Sequence, residues 1–166
     1  KIMERSYVAK DFKITTWDKL EFYFKNLLEV EVSSKEEFIQ WLKDLNELSA
    51  VISEDMAWRY IKMTSDTSNH NLTKSYQDFV QNIAPKIAPL ENKLNIKLYN
   101  HVDYDKLDND RFKIYLRGLS REIEMFRKEN IPIITELQLK SQEYGAISGA
   151  QTITQNNSEL TLQQAV

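Results

Sequence analysis

The sequence predicts a mainly α fold: long antiparallel helical hairpins, about four long helices kinked at prolines, followed by a C-terminal β-hairpin. Three observations predict it. Gly and Pro number three each in 166 residues, too few for the many turns of an all-β fold. Apolar residues recur in steps of three and four over long stretches, the spacing of one helix face. That period fails between Gly145 and Gly149, and two alternating stretches follow, Thr152-Ile153-Thr154 and Leu160-Thr161-Leu162, the pattern of strands.

Residues 1–15 show no clear period and read as an N-terminal arm, with Tyr7, Phe12 and Ile14 able to pin it to the helices. A helical lobe spans 16–145, and a β-hairpin occupies 146–166. Thr16 is a candidate N-cap, with Asp18 in the first turn where a negative charge meets the helix dipole. Leu20, Phe24, Leu27 and Leu28 then mark one face, widened by Trp17 and Tyr23, of a helix expected to end near Val32.

Ser34 and Glu37 are spaced as a capping box. From there Phe38, Trp41, Leu45, Leu48, Ile52, Met56 and Met63 follow a helical period with no Gly or Pro up to Thr64. A helix of about thirty residues would measure about 45 Å, which suits a long hairpin. Thr64 to Asn69 is a polar turn.

The third stripe runs Leu72, Tyr76, Phe79, Ile83, Ile87, Leu90, Leu94, Leu98, and Pro85 and Pro89 fall inside it. Each proline removes one backbone hydrogen bond and crowds the preceding turn, so one kinked helix is expected. An acid-rich loop covers Asn100 to Asp110. The fourth helix then carries Phe112, Tyr115, Leu116, Leu119, Ile123 and Phe126. It is expected to continue past Pro132 through Ile134, Leu137 and Leu139, with a Glu124–Lys128 pair on its surface and Gly145 as its end. The hairpin is expected to turn through four residues, Gln155 to Ser158, which lack the strongest turn dipeptides.

Self-contained chemistry is hard to find. Asp103, Asp105, Asp108 and Asp110 suggest a calcium loop, but from Asp103 the sixth position is Asp108 rather than Gly and the twelfth is Ile114, so the spacing fails. A solvated, helix-capping loop is the expectation. His70 and His101 lie far apart, and the sequence contains no His-Glu-x-x-His motif. Arg117, Arg121, Arg127 and Lys128 alternate with Glu122, Glu124 and Glu129, which reads as a solvated helix face. Glu54, Asp55, Trp58, Arg59 and Tyr60 form a dense polar-aromatic patch, with Trp58, Met56 and Met63 assigned to helix packing. No catalytic, cofactor-binding or metal-binding residue is assigned.

The net charge of −3 gives no basic footprint for nucleic acid, and no apolar run is long enough to span a membrane. The chain has no Cys, which fits a reducing, cytoplasmic setting. No export signal accompanies the triplets Asn71-Leu72-Thr73 and Asn156-Asn157-Ser158, so they are not expected to be glycosylated. With no initiator Met and an end inside the alternating stretch, the chain reads as a piece of a longer protein.

Four stretches carry a family resemblance: Leu48 to Thr67 (LSAVISEDMAWRYIKMTSDT), Ile83 to Leu94 (IAPKIAPLENKL), Glu122 to Pro132 (EIEMFRKENIP) and Lys140 to Ala165 (KSQEYGAISGAQTIT…ELTLQQA). They resemble the N-terminal part of the oligoendopeptidase F branch of the thimet-oligopeptidase-like zinc metallopeptidases, from about Tyr7 onward. The resemblance implies a non-catalytic helical lobe forming one wall of a deep channel for short peptides. Its partner would be the C-terminal catalytic domain of the same chain, which would hold the zinc. It implies no zinc or catalytic residue here. It also implies that the last helix and hairpin expose apolar surface toward that domain. The rival reading is a stand-alone helical interaction or scaffold module.

Overall fold

The computed structural model describes residues 5–101, 110–162 and 164–165. In order, the elements are α1 (Trp17–Glu29), α2 (Lys35–Ser65), α3 (His70–Asp78), a π-helical segment (Phe79–Ile83), α4 (Ala84–His101), α5 (Asp110–Met125), α6 (Asn130–Gly149), β1 (Thr152–Gln155) and β2 (Ser158–Thr161). The fold is mainly helical with a C-terminal antiparallel hairpin, as the periodicity predicts.

One core joins α1, α2, α4 and α5. Leu20, Phe24 and Leu27 of α1 meet Leu48 of α2 and Leu94 and Leu98 of α4, all essentially inaccessible to solvent. Leu116 and Leu119 of α5 complete it. A smaller cluster of Met63, Tyr76 and Val80, with Leu139 of α6 against it, sits where α2 turns into α3. The short connection between them folds α3 back on α2 as a helical hairpin.

The capping box at the head of α2 is complete. The Ser34 hydroxyl accepts from the Glu37 N–H at 3.2 Å, and Glu37 accepts from the N–H groups of Ser34 and Ser33 at 3.1 and 2.9 Å. These backbone bonds hold the Glu37 carboxyl below its usual range. Thr16 occupies the N-cap position of α1, but its side chain makes no capping bond.

Four expectations are corrected or refined. First, α1 ends at Glu29 rather than near Val32, because Val30 turns extended. Second, the proline-bearing helix adjusts through the π segment, where the Ala84 N–H reaches back five residues to Phe79 O. The wider turn displaces the Gln81 carbonyl that the Pro85 ring would otherwise meet, and helix continues unbroken to His101. Third, the expected fourth helix is two helices. A straight helix would push the Lys128 carbonyl into the Pro132 ring. The chain therefore breaks after Met125, and Pro132 falls in the first turn of α6, where its missing N–H costs nothing. Glu124 and Lys128 accordingly share no helix.

The fourth correction concerns Gly145 and the turn. Gly145 lies inside α6, which runs to Gly149 and ends on Ala150 with right-handed φ and ψ. The hairpin turn has two residues rather than four: Gln155 pairs with Ser158, Ile153 with Leu160 and Thr152 with Thr161. Asn156 and Asn157 supply the turn at φ 51° and 63°, the left-handed pair of a type I′ connection, which asparagine tolerates.

A Cβ added at Gly145 would meet no described atom within 4 Å, and its φ is ordinary. Gly145→Ala is therefore expected to stabilise α6 by about 1 kcal/mol through helix propensity alone. A rise in the denaturant midpoint with unchanged slope would show it, and a fall would mean that the position is occupied.

Candidate functional site

The polar-aromatic patch on α2 is a structural clamp centred on Arg59. Its Nε donates to Asp55 at 2.6 Å, one terminal nitrogen donates to Ser75 O and Oγ at 3.0 Å, and the other donates to Ile14 O at 2.6 Å. The guanidinium also lies 5.3 Å from the centre of the Phe79 ring. One side chain thus ties α2, α3, the π segment and the arm. Trp58 does not pack as expected; it is 53 % exposed.

The arm is held by a residue that local pattern does not reveal. Glu47, only 5 % exposed, accepts from three successive backbone N–H groups, Ser6, Tyr7 and Val8, at 2.7–3.1 Å, and from the Ser6 hydroxyl. Burial pushes its carboxyl pKa upward, but these donors together outweigh burial and hold it below the usual range. Val8 and Ile14 are buried beside it, and Tyr7 and Phe12 pack edge-on against Tyr23, so the arm is pinned as expected.

Lys97 was also not singled out. Its ammonium donates to Leu27 O at 2.8 Å, to Leu28 O at 3.0 Å and to Val30 O, at the negative end of the α1 dipole. The Trp41 indole N–H shares Leu27 O at 2.9 Å. Burial lowers the Lys97 pKa. These are fastenings rather than chemistry.

The other singled-out residues do not converge. His70 heads α3 and His101 closes α4, both exposed, and the His101 ring contacts Lys97 O. Arg117, Arg121 and Lys128 are exposed. Arg127 donates to Glu124 O and Phe126 O and so caps the end of α5. Asp103, Asp105 and Asp108 lie outside the described residues. Among the described residues no three His, Asp or Glu side chains are placed to hold a metal.

What stands out instead is α6 with its hairpin. Leu139 and Ala146 point from α6 toward α2 and α3, and Gln142 is held there by a 2.9 Å bond from Gln77. Yet α6 buries none of its residues fully. Ile133, Tyr144 and Ile147 fall eleven and three residues apart along the opposite side, each 61–74 % exposed. A helix that is apolar on opposite sides is one made to be covered on both. Ile153 and Leu162 extend the uncovered surface onto the hairpin. Such a hairpin is marginal by itself and offers open strand edges.

Residues 9–126 match the family described as the Peptidase M3 N-terminal domain. The chain belongs to this family. The match stops at the end of α5, so the uncovered helix and hairpin lie just beyond it. No curated protein and no solved structure matches the chain. Among the described residues, no helix of this M3 N-terminal domain is long and apolar enough to cross a membrane.

Proposed function

We infer that this chain is the non-catalytic helical lobe of a zinc-dependent oligoendopeptidase of the oligoendopeptidase F-like branch. Its helical hairpins form one wall of a deep channel that admits short peptides. The observation that carries this reading is the family match over 9–126. The uncovered apolar side of α6 and its hairpin supports it, as the surface a C-terminal catalytic domain of the same chain would cover. Among the described residues no three His, Asp or Glu side chains are placed to hold a metal, and this reading assigns the metal and the activated water to that domain. A cysteine-free chain suits a cytoplasmic enzyme.

The coding sequence beyond Val166 tests this directly. Continuation into a domain bearing His-Glu-x-x-His is expected, with the complete protein hydrolysing fluorogenic peptides until a chelator removes its metal. The 166-residue chain alone should hydrolyse none. A stop codon or an unrelated domain would overturn the reading in favour of a helical interaction module, which the same uncovered surface would serve.

A further inference from the structure

A cleft of about 430 Å³ opens between the end of α2, α3 and α6, within the size range of small-ligand sites. More than a quarter of this chain is charged, yet none of the residues lining the cleft carries a charge. Met63 and Leu137 supply its apolar wall, and Gln138, Ser141, Thr73 and Tyr76 supply its polar groups.

Tyr76 is the informative residue. It is 93 % buried, from 7 % exposure, and its ring leans on Tyr60 at 5.8 Å. Burial and Tyr60 hold the phenol above its ordinary pKa range, so it remains a neutral donor. The Tyr76 hydroxyl has no hydrogen-bond partner among the described residues, and it is not sealed from the cleft it lines. The cleft thus presents an unused donor over an apolar floor, beside further uncommitted hydroxyl and amide groups.

We propose that this cleft is a subsite for an uncharged stretch of peptide, whose main-chain carbonyl accepts from the Tyr76 hydroxyl while an apolar side chain lies on Met63 and Leu137. A peptide main chain alternates neutral donors and acceptors, which matches Tyr76, Ser141 and Gln138. A charged side chain would lose hydration with no counter-charge to meet it. The subsite rests on the channel-wall reading above and extends it, by locating a selectivity for neutral residues on this lobe.

The test is an NMR titration of the chain labelled at its methionine methyls, with Met63 as the reporter. The ligands are N-acetyl-Ala-Leu-Ala-amide and its Asp- and Lys-centred counterparts. Saturable shifts of Met63 by the leucine peptide are expected, with the charged peptides at least tenfold weaker. Tyr76→Phe, which keeps the ring, should weaken binding about fivefold, the loss of one hydrogen bond. Gly145→Leu should abolish binding by filling the cleft, because that position has space and ordinary φ; its unchanged helical spectrum would show that the fold survives.

The proposal is overturned by an unmoved Met63 methyl, by equal binding of the charged peptides, by maltotriose shifting Met63 in place of the peptide, or by full binding in Gly145→Leu. None of these outcomes alters what the coding sequence says about a catalytic domain. The failure of the subsite is therefore distinguishable from the failure of the lobe assignment.

Discussion

Arg59→Met is expected to cost about 3–4 kcal/mol of folding stability, the range for removing one member of a largely buried, hydrogen-bonded ion pair. Methionine keeps much of the apolar stem, so the loss is that of the guanidinium and its bonds. Asp55 loses its cation, and the carbonyls of Ile14 and Ser75 lose their donor. For a domain of this size the melting temperature should fall by about 10 °C. Arg59→Lys should recover only part of it, since an ammonium cannot reach Asp55, Ser75 and Ile14 with one planar fork. Denaturant melts of both variants check this. A change under 1 kcal/mol for Arg59→Met would mean that solvent replaces the clamp.

Glu47→Ala should cost about 2–4 kcal/mol, because three backbone N–H groups of a buried segment lose a charged acceptor. The effect should be local first: trypsin should cut at Lys10 and Lys13 in the variant before the helices yield. The pH dependence has a definite sign. The folded Glu47 pKa lies below the unfolded value, so its contribution is fully present above the ordinary carboxylate range. It is lost as pH falls through the folded pKa. Asp44, one turn earlier, acts in the opposite sense: burial raises its pKa, the Glu47 charge adds to this, and the bond from Gln40 only partly offsets it. The difference between wild type and Glu47→Gln isolates Glu47, and this difference should shrink below about pH 4. If it stayed constant down to pH 2, the carboxylate would not be the arm's anchor.

Periodicity made the helices legible, because burial on one side imposes a repeat that needs no knowledge of the partner. Leu20, Phe24 and Leu27, then Trp41, Leu45, Leu48 and Ile52, are buried where the steps of three and four placed them. The capping box was equally local. The stripe across Pro85 continues as helix as expected, through a π turn, while Pro132 breaks a helix that its flanking apolar residues make look continuous.

The fastenings were the least legible. Glu47 binds a segment some forty residues away, and no spacing within α2 encodes that. Lys97 had a weak signal, a cation in phase with Leu94 and Leu98, yet its targets are carbonyls of another helix. Tyr76 read as one more apolar position in its stripe, and only burial without a partner sets it apart. The last helix is the reverse case. Its composition says that it should be buried, and the structure leaves one side of it uncovered.

That uncovered side is where the account is most exposed to measurement. If a second domain covers Ile133, Tyr144 and Ile147, hydrogen exchange on the protein expressed from its complete gene should find residues 130–161 protected as strongly as the core of α2. Rapid exchange there, beside a slow α2, would contradict the assignment of this chain as one lobe of a larger peptidase.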